Sequence, residues 1–438
     1  MKVTYLGQAC LLVEAAGRKI LTDPWLTEGA NLGTWFHTHL LADAGITPEA
    51  VARERVDYIF LSHEHRDHAD PQTLKAFPRD IPTLICRFPN DRFREHLRRM
   101  GLTNIREIDP GVPVDLGDGL TITIFGSAEY TNDSAILIEA EGRSVFNETD
   151  CKLTYEDYVR LAAKSIDLGF YMFSGANWYP IMYDYAEDDM LRLIQRRRAS
   201  LVGGFVRRVR TTRPRFAIPA AGPCTVLEPD LLELNSPERG IFIDPKIAVA
   251  ALRDAGTAAS GVCMNASDRW DSDKGFEHRA PESFRGERAD YVKDAARRMR
   301  DTIRAWRAAE TPAGSDLSAR VVEYFGTRVA AQDPGIRARI GAKLLVEATG
   351  PQAGSWTVDF TANGPYAREG SCSDFTYRMR TQDVCLYPFV SGREEFLEDM
   401  LLSLRVTLAR RPDVYNELLY HFLYDPDPVR MRTFYARH

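Results

Sequence analysis

The sequence predicts an α/β protein with a C-terminal α+β extension, and three features carry that prediction. Short runs of β-branched and aromatic residues, such as 3–7 and 56–60, alternate with turn residues early in the chain, which is typical of strands. A segment rich in His and Asp, residues 61–70, follows one of these runs directly. Beyond residue 245 the composition shifts, and apolar residues recur at helical spacing in 289–309. We therefore expect one domain in residues 1–245 and an extension in residues 246–438 that covers the substrate site.

Composition and charge exclude several classes of protein. Hydrophobic residues make up 44% and charged residues 27% of the 438 residues, as in soluble globular proteins. The net charge of −6 provides no basic field for nucleic acid, and no apolar run reaches the roughly 20 residues of a membrane span. The seven Cys form no C-x-x-C pair, which favours reduced thiols. We expect a cytoplasmic protein without nucleic-acid or membrane partners.

The segment from residue 61 to residue 70 is the strongest functional signal. His63, His65, Asp67 and His68 fall within six residues, just past the predicted strand 56–60. In an extended loop His63 and His65 point the same way, and a following helical turn directs Asp67 and His68 together toward a second position. Imidazole and carboxylate groups are metal ligands. One segment can therefore supply two ligands to each of two metals.

The segment resembles the metal-binding signature of the metallo-β-lactamase superfamily. The runs before it, residues 3–7, 10–14 and 20–25 with a turn at Gly17, resemble the first strands of that superfamily. The resemblance covers about residues 1–245. It implies an αββα sandwich and a site for two metal ions at the strand ends.

The resemblance also implies ligands after residue 120. Asp150 follows the predicted strand 144–147 and matches the family's bridging aspartate, although an ordinary Asx turn is the alternative. Hydrolytic members usually carry a His in the loop where this chain has Glu129. Glu148 and Asp133 are local competitors for these two positions.

The last ligand is open between Glu228 and His278. Residues 22–25, 33–35, 174–180 and 220–222 resemble segments of the CMP-sialic acid hydroxylase group. That group has a His-Pro pair where this chain has Glu228-Pro229, which favours Glu228. The C-x-H…C-x-x-H pair of that group's Rieske domain does not occur here. We therefore expect an external electron donor if the protein is an oxygenase.

Two tryptophans are candidate substrate-binding residues. Trp35 lies in the insertion 26–55, and Trp178 lies in the loop 174–180 that carries the resemblance. Aromatic side chains commonly line ligand cavities. The neighbouring His37 and His39 have no Asp-His pair after them, so we interpret them as cavity-wall or structural residues.

Two further segments are candidates for binding or covering the substrate. The arginines between residues 196 and 215 suit phosphate or carboxylate groups, or form a solvated face that balances nearby acidic residues. Residues 261–288 form a long polar segment, which predicts a loop that acts as a lid.

The C-terminal part of the chain shows further secondary-structure patterns. Residues 355–360 and 375–379 predict a small sheet, and residues 394–410 predict a helix.

The resemblance implies a nonheme diiron monooxygenase. A Glu in place of a His adds hard oxygen donors and negative charge, which suits iron or manganese better than zinc without excluding zinc. One iron would be held by His63, His65 and Glu129, the other by Asp67, His68 and Glu228, with Asp150 bridging. Similar enzymes act in natural-product pathways on acyl groups tethered as thioesters to coenzyme A or a carrier protein.

A hydrolase is the alternative function. A thioesterase, lactonase or phosphodiesterase would use the same ligands with zinc or manganese and a small-molecule or thioester substrate. A non-catalytic binding protein is a third interpretation, which the intact metal-ligand segment disfavours.

Overall fold

The computed structural model describes residues 1–128, 132–395 and 397–436, with only the backbone of Glu398 and Phe434. The chain divides into two compact units. Unit 1 comprises Met1–Ala176 and Leu193–Arg300, and unit 2 comprises Asn177–Arg192 and Asp301–His438. The division does not coincide with the expected boundary at residue 245, because residues 246–300 are part of unit 1.

The strands of unit 1 are, in chain order, β1 Lys2–Gly7, β2 Cys10–Ala15, β3 Arg18–Thr22, β4 Trp35–Phe36, β5 Tyr58–Phe60, β6 Thr83–Cys86, β7 Ile105–Ile108, β8 Pro113–Asp115, β9 Thr121–Gly126, β10 Ser134–Ala140, β11 Arg143–Asn147, β12 Leu168–Met172, β13 Phe216–Ala220, β14 Thr225–Val226, β15 Ser260–Gly261, β16 Arg269–Asp271 and β17 Gly275–Glu277. The α-helices that begin before residue 300 are α1 Ala30–Gly33, α2 Pro48–Ala52, α3 Pro71–Leu74, α4 Arg92–Arg99, α5 Tyr155–Ala162, α6 Glu187–Thr212, α7 Pro245–Asp254 and α8 Arg288–Ala308. Short 3₁₀ helices lie at Leu41–Ala44, Pro229–Asn235 and Glu282–Arg285.

Two large sheets contain 15 of the 17 described strands of unit 1, and β4 and β14 pair separately with each other. One has the strand order β17-β16-β1-β2-β3-β5-β6-β7 and the other the order β15-β13-β12-β11-β10-β9-β8. Side chains from both sheets form one apolar core, in which Val13 and Phe60 of the first sheet join Ile136 and Phe170 of the second. The sheets therefore pack face to face.

Strand β10 shows how the sequence positions the second sheet between two layers. Ile136 and Ile138 belong to the core shared by the sheets, whereas Ala135 and Leu137 join Phe205 of α6 in a separate core on the outer face. Successive side chains of a strand point to opposite faces, so a strand buried on both faces is apolar throughout.

Helices cover the outer faces of both sheets. On the second sheet, α5, α6 and α7 contribute buried side chains to the outer core. On the first sheet, α3 and α4 connect the parallel strands β5, β6 and β7, and their residues Leu74, Phe93 and Leu97 are buried. The layers run helix, sheet, sheet, helix, which confirms the predicted αββα fold class.

The parallel strands bring several loops to one edge of the sandwich. Strands β3 and β5 are parallel, as are β11, β12 and β13. The loops after parallel strands lie at the same edge of a sheet, where α/β proteins place their sites. Asp23 follows β3, the motif from residue 61 follows β5, and Asp150 follows β11.

Residues 261–288 are not the single loop that their polarity predicts. Strand β16 pairs with β1, with Val3 opposite Trp270, and β17 pairs with β16. Trp270 is buried in the core between the sheets. These strands have three residues each, too few to show an alternating pattern in the sequence. The lid prediction does not hold for the part of this segment that forms the sheet edge.

Unit 2 contains the predicted small sheet. Its strands are β18 Lys343–Thr349, β19 Gly354–Asp359, β20 Ala367–Glu369, β21 Tyr377–Gln382 and β22 Val406–Arg410, in the order β20-β19-β18-β21-β22. Its further helices are α9 Leu317–Ala330, α10 Pro334–Ile340, α11 Asp383–Val390, α12 Leu397–Leu402, α13 Glu417–Tyr424 and α14 Pro428–Tyr435.

The helix predicted over residues 394–410 is wrong in its second half. Helix α12 ends at Leu402, and β22 begins at Val406 and pairs with β21. The tertiary pairing overrides the local helical pattern. None of the described helices is both apolar enough and long enough to span a bilayer.

Candidate metal centre

The motif after β5 forms a compact turn. The backbone N–H groups of His68 and Ala69 both donate to the carbonyl oxygen of His65, at 3.0 and 2.8 Å. Asp70 then caps α3 by accepting from the N–H groups of Gln72 and Thr73. This fold-back brings the rings of His63 and His68 to 4.1 Å between centroids.

His63, His68 and Asp150 form a group that could hold a metal ion. Each offers one ligand atom, and these atoms all lie within 4.8 Å of one another. His63 and His68 are buried, and the Asp150 side chain is 17% exposed. Asp150 Oδ1 is buried without a hydrogen-bond partner. Two imidazoles and a carboxylate with an unsatisfied oxygen fit a transition-metal ion.

The other residues of the motif lie beside this group. His63 Nε2 lies 2.8 Å from His65 Nδ1, and His68 Nε2 lies 3.7 Å from both Asp67 Oδ2 and Asp150 Oδ2. Two nitrogen ligands of one metal ion also lie close to each other, so the short distance between His63 Nε2 and His65 Nδ1 suits a shared ion. The two predicted pairs, His63 with His65 and Asp67 with His68, are thus both present as neighbours.

Asp23 fixes the orientation of His68. Its carboxylate accepts from the backbone N–H of Ser62 at 2.7 Å and from the Ser62 hydroxyl at 2.6 Å, and it lies 2.8 Å from His68 Nδ1. A carboxylate that holds one ring nitrogen leaves the other free for a metal. Asp23 was not among the predicted site residues. The signal that identifies it is an Asp directly after β3, the parallel neighbour of β5.

Burial and neighbouring charges set the protonation of these groups. Burial, with His68 and His65 nearby, lowers the pKa of His63 well below its usual value. Burial also lowers the pKa of His68, but Asp67, Asp23 and Asp150 outweigh it and raise that pKa well above its usual value. The pKa of Asp67 is raised, mainly by burial and also by Asp150, against the opposing effect of His68. The three carboxylates around His68 therefore favour a positive charge at this place.

Side-chain hydrogen bonds hold the loop that carries Asp150. Asn147 donates from its side-chain amide to the Ala9 carbonyl at 2.9 Å and to the Thr22 hydroxyl at 3.0 Å. Thr149 has a positive φ of 57° and donates from its hydroxyl to the Ser134 carbonyl. The loop is thereby tied to strands of both sheets.

Glu148 does not lie with the metal group. It accepts from the Tyr158 hydroxyl at 2.6 Å, from Arg208 Nε at 3.0 Å and from the backbone N–H of Met172 at 3.0 Å. The carboxylate is fully buried, and burial raises its pKa although Arg208 opposes this. Asp150 is therefore the residue of this loop that reaches the metal group.

Of the remaining predicted carboxylate candidates, Asp133 is described and Glu129 is not. Asp133 Oδ1 lies 3.6 Å from His63 Nδ1. Glu129 lies outside the described residues, which omit 129–131.

Neither candidate for the last ligand belongs to the group around His63 in the described part of the chain. Glu228 is buried and precedes the 3₁₀ helix Pro229–Asn235. The side chain of His278 is 58% exposed, and its Nδ1 lies 3.6 Å from Asp268 Oδ2. The exposure of His278 favours Glu228 between the two.

The aromatic candidates have different surroundings. Trp35 is fully buried in β4, which pairs with β14. Trp178 belongs to unit 2, where it is buried against Tyr420 and lines a cavity of about 50 Å³. His37 stacks on Trp25 at 3.9 Å, and His39 stacks on Phe284 at 4.2 Å and lines a cavity of about 270 Å³ in unit 1.

Comparison with known proteins finds a family model that is similar to the first part of the chain. Residues 2–201 match the family model of the beta-lactamase superfamily domain. The matched residues include the metal-ligand segment and most strands of the helix-covered sheet pair, so this part of the chain is similar to that superfamily domain.

The chain is also similar to a protein named as a Rieske iron–sulfur protein and to a hydroxylase. It is 27% identical over 446 residues to a Mycolicibacterium smegmatis protein whose name describes a Rieske 2Fe-2S iron–sulfur protein, covering 96% of this chain and 84% of the relative. It is 28% identical over 240 residues to the cytidine monophosphate-N-acetylneuraminic acid hydroxylase of Danio rerio, covering 52% of this chain and 39% of that protein.

Two solved structures that match part of the chain are named as a hydroxylase and as a hydrolase. The diiron β-hydroxylase CmlA from Streptomyces venezuelae matches with a TM-score of 0.40 and 18% identity, covering 61% of this chain and 53% of that one. A metallo hydrolase from Ignicoccus hospitalis matches with a TM-score of 0.41 and 16% identity, covering 61% of this chain and 96% of that one.

Proposed function

We propose that the protein is a nonheme diiron monooxygenase. The observation that carries the proposal is the carboxylate-rich composition of the centre: Asp67, Asp150 and Asp23 lie within contact distance of His68, and Asp133 lies 3.6 Å from His63. Oxygen donors of this kind suit iron better than zinc. The relationship to a hydroxylase over 240 residues supports oxygenation over hydrolysis.

We assign the ligands in two sets joined by one bridge. His63, His65 and Glu129 would hold one iron, and Asp67, His68 and Glu228 would hold the other, with Asp150 between them. The 2.8 Å contact of His63 with His65 and the 3.7 Å contacts of His68 with Asp67 and Asp150 support three parts of this assignment.

Two irons bound here would supply the electrons and the coordination sites that activate dioxygen. One oxygen atom enters a C–H bond of the substrate and the other leaves as water, which consumes two electrons and two protons from outside. The chain contributes a rigid and mostly buried ligand set. Asp23 and Ser62 orient His68, and burial of His63 and His68 excludes water from their ring nitrogens.

For the substrate we propose an acyl group held as a thioester of coenzyme A or of a carrier protein. The basis is the resemblance to diiron enzymes of natural-product pathways. Incubation of the iron-loaded protein with acyl thioesters, a reductant and labelled dioxygen tests it by mass spectrometry. Incorporation of one labelled oxygen atom into the acyl group is the expected result.

A dinuclear hydrolase with zinc or manganese is the second candidate, because the same imidazole and carboxylate donors bind those metals. Metal content and oxygen consumption, measured on one preparation, separate the two functions. About two irons per chain with substrate-dependent oxygen uptake support the oxygenase. Two zincs per chain and turnover without dioxygen would reject it.

Glu129→His sharpens this experiment by restoring the ligand set of the hydrolytic members. For the monooxygenase we expect the variant to take up more zinc relative to iron and to lose oxygen-dependent turnover. Glu156→His, which changes an exposed carboxylate on α5, is the matched control and should leave both values at the parent level. Unchanged values in the Glu129 variant would contradict its assignment as a ligand.

A further inference from the structure

A cationic groove lies between α5 and the C-terminal half of α6 in unit 1. Its volume is about 950 Å³, and no Asp or Glu is among the described residues that line it. Its basic lining residues are Lys152, Arg207, Arg208, Arg210 and Arg213. On a chain with a net charge of −6, this is a local concentration of positive charge.

Three of these arginines lack an ion pair like the one that Arg208 makes with Glu148. Arg207, Arg210 and Arg213 are exposed and make no ion pair among the described residues. On the same helix, by contrast, the exposed Arg192 pairs with Asp189 at 2.6 Å. The groove therefore presents guanidinium groups that are available to an acidic ligand.

Exposed apolar side chains lie in the same groove. Tyr155 and Val159 line it and are 70% and 47% exposed. Arg and Tyr are enriched where proteins bind other proteins. An open groove that combines unpaired arginines with an exposed aromatic ring fits a protein surface better than a small metabolite.

The groove borders the loop that carries Asp150. Arg208 and Tyr158 line the groove and also hydrogen-bond to Glu148, which is two residues before Asp150. Lys152 lies two residues after Asp150, and two residues of chain span at most about 7 Å. A partner in the groove would therefore sit close to the proposed metal ligands.

Helix stabilisation is the competing explanation for the arginines. Cations near the C-terminus of a helix interact favourably with its dipole, and α6 ends at Thr212. This accounts for Arg210 and Arg213 but not for the exposed Tyr155 and Val159, nor for the absence of acidic residues among the described lining of the groove.

We infer that this groove is the docking surface for an acidic one-electron carrier protein that reduces the metal centre. The inference rests on the proposed monooxygenase function, which needs two electrons per turnover from outside the chain. Each docking event would oxidise the carrier by one electron and reduce the centre by one electron. The opposite charges of groove and carrier would orient the encounter and speed association.

Binding of a plant-type [2Fe–2S] ferredoxin, an acidic one-electron carrier, tests the docking surface. Affinity is measured by calorimetry at low and at high salt with three proteins. These are the parent, Arg207→Glu/Arg210→Glu, and the control Arg253→Glu/Arg297→Glu. The control makes the same change of net charge at arginines that are 81% and 72% exposed outside the groove. We expect binding to weaken with salt, and about tenfold or more in the groove variant but less than about twofold in the control. Absence of binding to the parent, or equal loss in both variants, would overturn the inference.

Reduction of the iron-loaded protein separates this inference from the proposed function. Dithionite needs no docking surface, so it should reduce all three proteins at the same rate. Reduced ferredoxin should reduce the groove variant about tenfold more slowly than the control. Equal rates with ferredoxin would overturn the inference and leave the monooxygenase proposal standing. A protein that holds zinc and is not reduced by either donor would overturn the monooxygenase proposal and the electron-transfer role together.

Discussion

Asp23 Oδ2 lies 2.8 Å from His68 Nδ1, and both side chains are buried. The two residues are 45 positions apart in the chain but follow the parallel neighbours β3 and β5. Because Asp23 holds Nδ1, the other ring nitrogen of His68 faces Asp67 and Asp150, each at 3.7 Å. The direction in which His68 offers its free nitrogen is therefore set by a residue that does not itself belong to the metal group.

Asp23→Asn should weaken metal binding. The Asn side chain keeps one acceptor for the Ser62 N–H but presents an amide where His68 Nδ1 needs a carboxylate. We expect the affinity for iron or zinc to fall by about 10–100-fold, measured by competition with a chelator. Asp57→Asn is the matched control, because Asp57 also accepts a backbone N–H, from Lys19 at 2.8 Å, away from the centre. An affinity equal to the parent's would show that Asp23 does not position the ligand.

His63→Ala and His65→Ala should each remove at least half of the bound metal while the protein stays folded. Both residues lie in the loop after β5 rather than in the apolar core, so their loss need not unfold the sandwich. Metal analysis and circular dichroism on the same samples measure the two effects. His278→Ala, at an exposed position, should keep the parent's metal content. Full metal content in both loop variants would contradict the assignment of the site.

Arg208→Ala should destabilise the fold because it leaves the buried Glu148 carboxylate without its cation. Glu148 is fully buried and the Arg208 side chain is 19% exposed. Breaking a buried pair of this kind lowers the free energy of unfolding by about 3 kcal/mol, which denaturant titration measures. Arg160→Ala breaks the exposed pair with Asp157 and should lower it by less than about 1 kcal/mol. A similar effect of the two substitutions would mean that Glu148 is satisfied without Arg208.

Glu28→Gln should change how stability depends on pH. Burial raises the pKa of Glu28 to about 7, although the backbone N–H of Leu41 opposes this. A carboxyl whose pKa is higher in the folded state favours folding when it is protonated. Its contribution is full below the unfolded pKa of about 4.5 and is lost as the pH rises to about 7.

The Gln side chain stays neutral throughout that range. The variant should therefore gain stability relative to the parent between pH 5 and pH 8, by at most about 3 kcal/mol. Thermal unfolding at several pH values measures the gain. Glu282→Gln, at a carboxylate that is 86% exposed, should show no such trend. A gain that is independent of pH would exclude ionisation of Glu28 as its cause.

Part of the metal centre could be predicted from the sequence because its geometry is local. His63 and His68 are five residues apart, and a single turn closed by hydrogen bonds to the His65 carbonyl brings their rings together. Asp150 was predicted from the resemblance to a family with a bridging aspartate at this place, and it lies with them. The burial of β10 on both of its faces likewise follows from the run of apolar residues in this strand.

Other parts depend on contacts between distant segments. Glu148 and Asp150 are both acidic residues after β11, and the sequence alone does not show which one points at the metals. Arg208 and Tyr158, brought in by two helices, attract Glu148 away from the centre. Strand β16 and strand β22 are short, and each forms because an existing edge strand offers hydrogen bonds to it.

The sequence by itself determined the fold class, the position of the metal-ligand segment and the types of residue that could hold a metal ion there. These properties depend on periodicity and on residues that are close in the chain. Only the tertiary structure decided that Asp23 orients His68, that Glu148 pairs with Arg208, and that α5 and α6 enclose a groove of unpaired arginines. The physical reason is that the direction of a buried polar side chain is set by the partner that satisfies it, and here those partners come from other parts of the chain.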